Sequence, residues 1–479
     1  MFKTLLIKEI QTAIIDFRFW VVLLLCICII PLSFYVSVKN YSQRVSDYQQ
    51  EIQTYKDQQS KNGADAFFAA EGVHPPSPLS IFSRGLDEKM PNKVITSRDG
   101  QYKIEYAKPD NKQDLLGKID FAFIVVFVLS ILALVFTFSA ISGDKESGIF
   151  RLVFSNPVLR RQVLISKLLG NYIVFSIPFL LSLLLALLVV YLSGLIPIFS
   201  AQLFPSVLIM IGISMLFLFA LFNLGLWISA FAKNSTLSIN ILLLIWIIIG
   251  LVVPKVSPII SEAIAPVEST SVFDAKKTLL YKNFTNEQIK EERELYEKLR
   301  IQFQPKSEGI SSSNDLNKEY DKEVIPIRKK YEERIVDEIN KLTIDYKIRC
   351  DKQNKIAKAI SSLSIINSTN NLMAEFSGTG YSEANNFQEQ AKQYQEMIKQ
   401  ILYDKIEHKI YYSQYGSSTS TSIPSGFSDN FQIPVLDHYK YLDVSQTVRQ
   451  NWIDILLLFF YCILFFVGAF ASFLRFDVR

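Results

Sequence analysis

Apolar and polar positions are segregated along this chain on the scale of whole segments. Six runs, 19–38, 119–141, 168–192, 204–231, 237–253 and 452–474, carry almost no charge. Each is close to the roughly 20 residues that an α-helix needs to cross about 30 Å of hydrocarbon. Two large polar blocks, 39–118 and 257–450, and a central loop, 142–167, separate them. Residues 1–18 differ. Here Lys3, Lys8, Glu9, Asp16 and Arg18 alternate at helical spacing with Leu6, Ile10, Ala13, Ile14 and Phe17. That spacing predicts an amphipathic helix lying in the membrane interface. The apolar run behind it is long and no small-residue cleavage site follows, so a cleaved signal peptide is not expected. The pattern predicts an all-α polytopic membrane protein with six transmembrane helices and a mainly helical extracytoplasmic domain carrying a minor β-hairpin.

Within the first polar block, Tyr41 to Ser60 has helical character and Pro75 to Pro78 breaks the chain. Val94–Ser97 and Gln101–Tyr106 flank Arg98-Asp99-Gly100, an Asp-Gly turn between alternating apolar residues and hence a hairpin signal. In the second block, Asn286 to Gln304 is dense in Glu, Lys, Arg and Leu, and Lys306 to Asn314 reads as a Ser/Gly loop. From Ile327 onward Tyr331, Ile335, Ile339, Leu342, Tyr346 and Cys350 recur at intervals of three and four. They form one apolar face of a helix about 50 Å long, with Cys350 as a buried reduced thiol. Asn386 to Tyr412 predicts another helix, and Ser417 to Ser428 a Ser/Thr-rich tract. Such narrow stripes need partner faces, so the two blocks are expected to fold together as one outer domain.

The central loop holds Lys145, Arg151, Arg160, Arg161 and Lys167 against Asp144 and Glu146. Short loops rich in Lys and Arg stay in the cytoplasm, which places both termini and the Lys233 turn inside and both polar blocks outside. Ile149, Phe150, Leu152, Val153 and Phe154 make an apolar patch too short to span a membrane. Asn156-Pro157 should end that short helix, because the residue before proline is driven out of the α region. The next helix is expected from Val158. An apolar face in such a loop must be buried on lipid headgroups or on a partner.

Composition narrows the chemistry. The chain has 479 residues with 49% hydrophobic content and a formal charge of +4. Its basic residues are interleaved with acids, so nucleic acid is not an expected partner. Cys26, Cys28 and Cys462 lie in apolar runs and Cys350 stands alone, so no disulfide framework is implied. Gly143 and Gly148 have the spacing of phosphate-loop glycines, but Ile149-Phe150 stand where Lys-Ser/Thr is required, which argues against an ATPase. His74, His408 and His438 are far apart, and no metal site or catalytic elbow is expected. With no acid or base mid-span, a proton-driven carrier is disfavoured. Asn171, Asn223 and Asn240, and the pairs Gly225 with Ser229 and Gly468 with Ser472, suit close helix packing.

Glu146, Gly148, Pro157, Arg160 and Lys167, between the second and third spans, resemble the coupling loop of type-two ABC transporter permeases. The order of spans around the loop is similar as well. The two outer insertions, the stretch Pro76 to Leu86 and the Arg-Phe-Asp-Val-Arg terminus resemble the subgroup described as multi-copper-enzyme maturation permeases. Copper itself has no support here, since no Met-, His- or Cys-rich tract exists. The resemblance implies the membrane subunit of an ABC exporter in the bacterial inner membrane. Its partners would be an ABC ATPase subunit carrying ATP and Mg, and a second permease chain, the same or paralogous. Membrane lipid surrounds it, and no cofactor is implied on this chain itself. ATPase coupling would fall to Glu146, Gly148, Ile149, Phe150, Arg151, Leu152, Phe154, Pro157 and Arg160. An alternative is a non-transporting machine that transmits force to an envelope or periplasmic partner.

Overall fold

The computed structural model describes residues 2–62, 71–86, 91–96, 102–106, 119–155, 157–302, 311–394, 396–397 and 439–475. Six of its helices are long and apolar enough to cross a membrane. The first, Phe17–Asn62, continues far past its apolar run into the Gln-rich segment without a break. The third, Arg160–Ser193, starts two residues after the expected Val158, with Leu159 extended at its N-cap. The fourth, Phe204–Phe231, has the expected bounds. The fifth covers Ser235–Ile264 and the sixth Val444–Leu474. The chain forms two compact units: Met1–Pro254 with Ser361–Ile401 and Ser428–Arg479, and Lys255–Ile360 with Leu402–Phe427.

In the first unit the fourth span lies at the centre and packs on the second and sixth. Close approach is made by small residues. A Cβ on Gly225 would lie 1.8 Å from Thr137 Oγ1, and one on Gly468 would lie 2.5 Å from the Trp227 ring. The amphipathic Phe2–Ile15 lies along the third span, where Gly170 leaves room for Glu9. Two spans change helical pitch: Ile124–Leu129 in the second and Ile248–Val252 in the fifth are π-helical. Wider turns of this kind are rare, and apolar periodicity does not encode them. The two spans are joined by Trp246 Nε1 donating to Ser130 Oγ at 2.9 Å.

The sixth span corrects one expectation. Asn451 has non-helical φ −115 and ψ 18, so the helix kinks one residue before the expected start at Trp452. Asp454, beyond that kink, is buried on the same face as Thr447 and Leu458. Asp454 thus lies near the start of the expected span, within its bounds and not at mid-span.

At the opposite end from the central loop, the first polar block meets part of the second. Ser77 Oγ donates to the Ser377 carbonyl at 2.6 Å, and Ser377 Oγ to the Ser83 carbonyl at 3.0 Å. The helix Ile365–Phe376 is buried on nearly every side and packs on the fourth and sixth spans. Its N-cap, Ser364, donates to the Ile249 carbonyl at 2.6 Å, inside the π-helical turn where the regular ladder is broken. Past it, Glu383 accepts from Tyr439 Oη and from Leu442 N at 3.2 Å, clamping the segment that leads into the sixth span. The expected hairpin is present as β2 (Pro91–Thr96) antiparallel to β3 (Tyr102–Tyr106), with β1 (Glu71–Val73) added on the other edge of β2. Its Asp-Gly turn, the tract 417–428 and the end of the helix expected to reach Tyr412 lie outside the described residues.

The second unit contains two long helices, Thr270–Gln302 and Ser311–Ser361. They run antiparallel, because Phe273 stacks on Tyr346 at 4.1 Å while Glu292 meets Arg328 at 2.8 Å. Ser311 to Asn314, expected in a loop, is helical, and the helix carries Pro326 without ending. Cys350 is half-buried rather than buried. The apolar stripes of the second block thus find partners in three places: Ile365–Phe376 on the bundle, Phe387 and Ala391 against His74 and Tyr439, and 270–361 on each other.

Candidate functional site

The central loop is built by alternating breaks and short helices. Ser142–Glu146 forms one turn and Gly148 then adopts φ +71, the left-handed region that glycine enters without a side-chain clash. Nothing lies within 4 Å of where a Cβ would be, so backbone conformation alone calls for glycine here. Ile149–Phe154 follows as a six-residue helix ending at Ser155, ahead of Pro157 as expected.

Its charged residues reach across to other elements. Glu146 accepts from Ser235 N at 2.9 Å and Ser235 Oγ at 2.8 Å, at the start of the fifth span. A carboxylate is favoured there by the exposed amides and the helix dipole. Asn234 caps the same helix, accepting from Leu237 N at 2.8 Å. Lys145 Nζ donates to the carbonyls of Ala230 and Ala232, at the end of the fourth span. A cation suits those carbonyls for the converse reason. Ser229 Oγ accepts from the amides of Ile141 and Ser142, both at 3.0 Å. Lys167, buried in the third span, pairs with Asp144 at 2.7 Å and with Glu9 of the amphipathic helix at 3.4 Å.

The apolar residues divide by face. Phe150 is only 2% exposed; its ring lies 5.7 Å from those of both Phe154 and Phe473. Phe154 is half-buried in the same cluster, with Arg160 over its ring at 5.5 Å. Arg160 Nη1 also donates to the Leu474 carbonyl at 2.9 Å. By contrast Leu152 is 72% exposed, and Ile149, Arg151, Pro157 and Leu159 are exposed beside it. Of the residues expected to form a docking patch, Ile149, Arg151, Leu152 and Pro157 face outward. Phe150 and Phe154 instead turn toward the end of the sixth span, while Glu146, Gly148 and Arg160 shape or anchor the loop. Sequence reasoning missed Lys145, Asp144, Glu9, Ser229, Ser235 and Phe473 as members of this junction. Only Ser229 carried a signal, through its spacing from Gly225. Among the described residues, no group of three His, Cys, Asp or Glu could hold a metal ion.

Six membrane-spanning helices, tied together at one end by a loop that bonds to the ends of four of them and to the amphipathic helix, define a polytopic membrane protein. The sequence matches the family described as ABC-2 family transporter protein over residues 3–478, nearly the whole chain. The protein belongs to that family of ABC permease subunits, whose members work with an ABC ATPase subunit. No curated protein and no solved structure matches it significantly.

Proposed function

We propose that this chain is the membrane subunit of an ATP-driven exporter in a bacterial inner membrane, powered by a separate ATPase that docks on the central loop from the cytoplasm. The observation that carries this reading is the division of the loop helix. Ile149 and Leu152 face outward while Phe150 is rooted on Phe473. A push on the outward face therefore reaches the sixth span through packed rings. It also reaches the fourth and fifth spans through Lys145 and Glu146, and the third through Asp144 and Lys167. ATP and Mg sit on the ATPase. Two permease chains, identical or paralogous, complete the assembly.

A second reading, force transmission to an envelope partner without transport, is favoured by the long antiparallel pair Thr270–Gln302 and Ser311–Ser361. Neither reading supports a role for copper in this chain. Co-expression with its cognate ABC ATPase provides the test. Ile149→Asp with Leu152→Asp should abolish co-purification of the ATPase while the permease still inserts and melts normally. Full recovery of the ATPase with this variant refutes docking on the loop.

A further inference from the structure

We infer that the last turns of the fifth helix, Val253–Ile264, together with the end of the long helix bonded to them, form a docking surface for anionic lipid headgroups. Ile259, Ile260 and Ile264 supply its apolar contact, and Lys255, Lys352 and Lys355 its charge. The surface lies at the opposite end of the helix from Ser235, which the central loop holds, so it is independent of the docking proposed above.

Length places this stretch. The fifth helix covers Ser235–Ile264. Counted from Leu237 at about 1.5 Å per residue, roughly 30 Å of hydrocarbon is used up near residue 257. The residues after it enter the headgroup layer, which adds about 5–8 Å on each side. Their pattern is the reverse of a helix made for water. Ser257 and Ser261, one turn apart, are buried, and Ser257 Oγ donates to the Ala357 carbonyl at 2.6 Å. Ile259 is 66% exposed and Ile264 62% exposed, with Ile260 exposed beside them. A water-facing helix buries its apolar stripe and exposes its polar one. Three bare isoleucines forfeit a burial that lipid offers them.

Charge then indicates what covers the surface. Residues 255–264 and 347–360 hold six basic residues against two acids. Among the described residues, the ammonium groups of Lys255, Lys347, Lys352 and Lys355 make no ion pair or hydrogen bond, and all four are exposed. Nearby acids are already taken: Glu268 by Lys276 and by Arg349 at 3.6 Å, and Asp345 by Arg349 at 2.7 Å. Of the two acids in these stretches, Asp351 is engaged within the chain and Glu262 is exposed. Lysines beside bare isoleucines suit phosphate oxygens above acyl chains, because the stem lies along apolar surface while the ammonium reaches the headgroup. Zwitterionic lipid would cover the isoleucines but gain nothing from the excess charge. A second copy of this chain would set like charges against each other, which costs affinity.

The test is titration of phosphatidylglycerol or phosphatidylcholine onto the detergent-solubilised full-length permease, with bound lipid counted by native mass spectrometry. Lys255→Gln with Lys352→Gln and Lys355→Gln removes the charge, and Ile259→Ser with Ile264→Ser removes the apolar contact. Lys290→Gln with Lys298→Gln, both exposed further along Thr270–Gln302, is the control. Wild type should prefer phosphatidylglycerol and lose that preference in high salt. Each basic residue near an anionic surface is worth about fivefold, so the triple lysine variant should weaken the tightest class of bound phosphatidylglycerol about a hundredfold. The isoleucine variant should weaken both lipids and the control neither. Equal binding of the two lipids by wild type overturns the inference, and so does a triple variant that keeps the wild-type preference. If the triple variant changes the ratio of monomer to dimer with lipid binding intact, the surface pairs copies of the chain and the inference is overturned. If that variant melts below wild type without lipid, the wild type in high salt decides: a preference that survives there refutes the role of the lysines.

Discussion

Replacing one glycine by alanine at two positions of the same helix should move stability in opposite directions. In the fourth span, a Cβ on Gly225 would stand 1.8 Å from Thr137 Oγ1 and 2.7 Å from Thr137 Cβ. Carbon atoms rest at about 3.5–4.0 Å, so the two spans would have to separate by more than about 1 Å. Thr137 has little freedom to yield, being fully buried with its hydroxyl bonded to the Ala133 carbonyl at 2.9 Å. One turn on, Ser229 Oγ holds the amides of Ile141 and Ser142, and any separation stretches both bonds. Overpacking costs about 1–3 kcal/mol. Each strained hydrogen bond adds up to about 1 kcal/mol, so Gly225→Ala should cost about 2–4 kcal/mol. Gly212 lies in the same helix with nothing within 4 Å of a Cβ. There alanine gains up to about 1 kcal/mol of helix propensity. Melting of the detergent-purified protein, followed by the fraction still soluble after heating, should show Gly225→Ala several degrees below wild type and Gly212→Ala at or above it. Equal effects at the two sites would show that the close approach of the second and fourth spans does not control stability.

Two further outcomes need no partner protein. Phe150→Ala should destabilise the permease alone by about 3–5 kcal/mol, as for other buried aromatics, whereas Leu152→Ala should stay within about 0.5 kcal/mol. The reverse order would show that the loop helix is turned the other way. In the segment leading to the sixth span, burial raises the Glu383 carboxyl above its ordinary value of 4.5, against hydrogen bonds from Tyr439, Asn386 and Leu442 that lower it. A carboxyl that holds its proton more tightly when folded stabilises the fold at low pH, and that contribution is lost as pH rises through the folded pKa. The melting temperature of wild type relative to Glu383→Gln should therefore fall as pH rises from the acid side. A difference that grows in wild type's favour with rising pH would contradict this.

Span number, the bounds of the fourth span and the existence of the loop helix are decided locally, and all were legible before any contact was known. Apolar length sets a span, while a left-handed glycine and a proline bracket the helix at Ile149–Phe154 whatever surrounds it. The spacing of Gly225 and Ser229 likewise announced a tight helix contact, which Thr137, Ile141 and Ser142 turn out to make. Tertiary structure alone decided which side of the loop helix faces outward. Ile149, Phe150, Leu152, Val153 and Phe154 leave both faces of so short a helix apolar, so periodicity selects neither. Phe473, at the far end of the chain, claims Phe150 and leaves Leu152 exposed. The bonds of Glu146 to Ser235, of Lys145 to Ala230 and Ala232, and of Lys167 to both Asp144 and Glu9 were hidden for the same reason. Each joins groups that only packing brings together, and a residue's charge does not disclose its partner. The π-helical turns, the kink at Asn451 and the burial of Asp454 follow the same rule: they answer to neighbours in space, whereas periodicity records only neighbours along the chain.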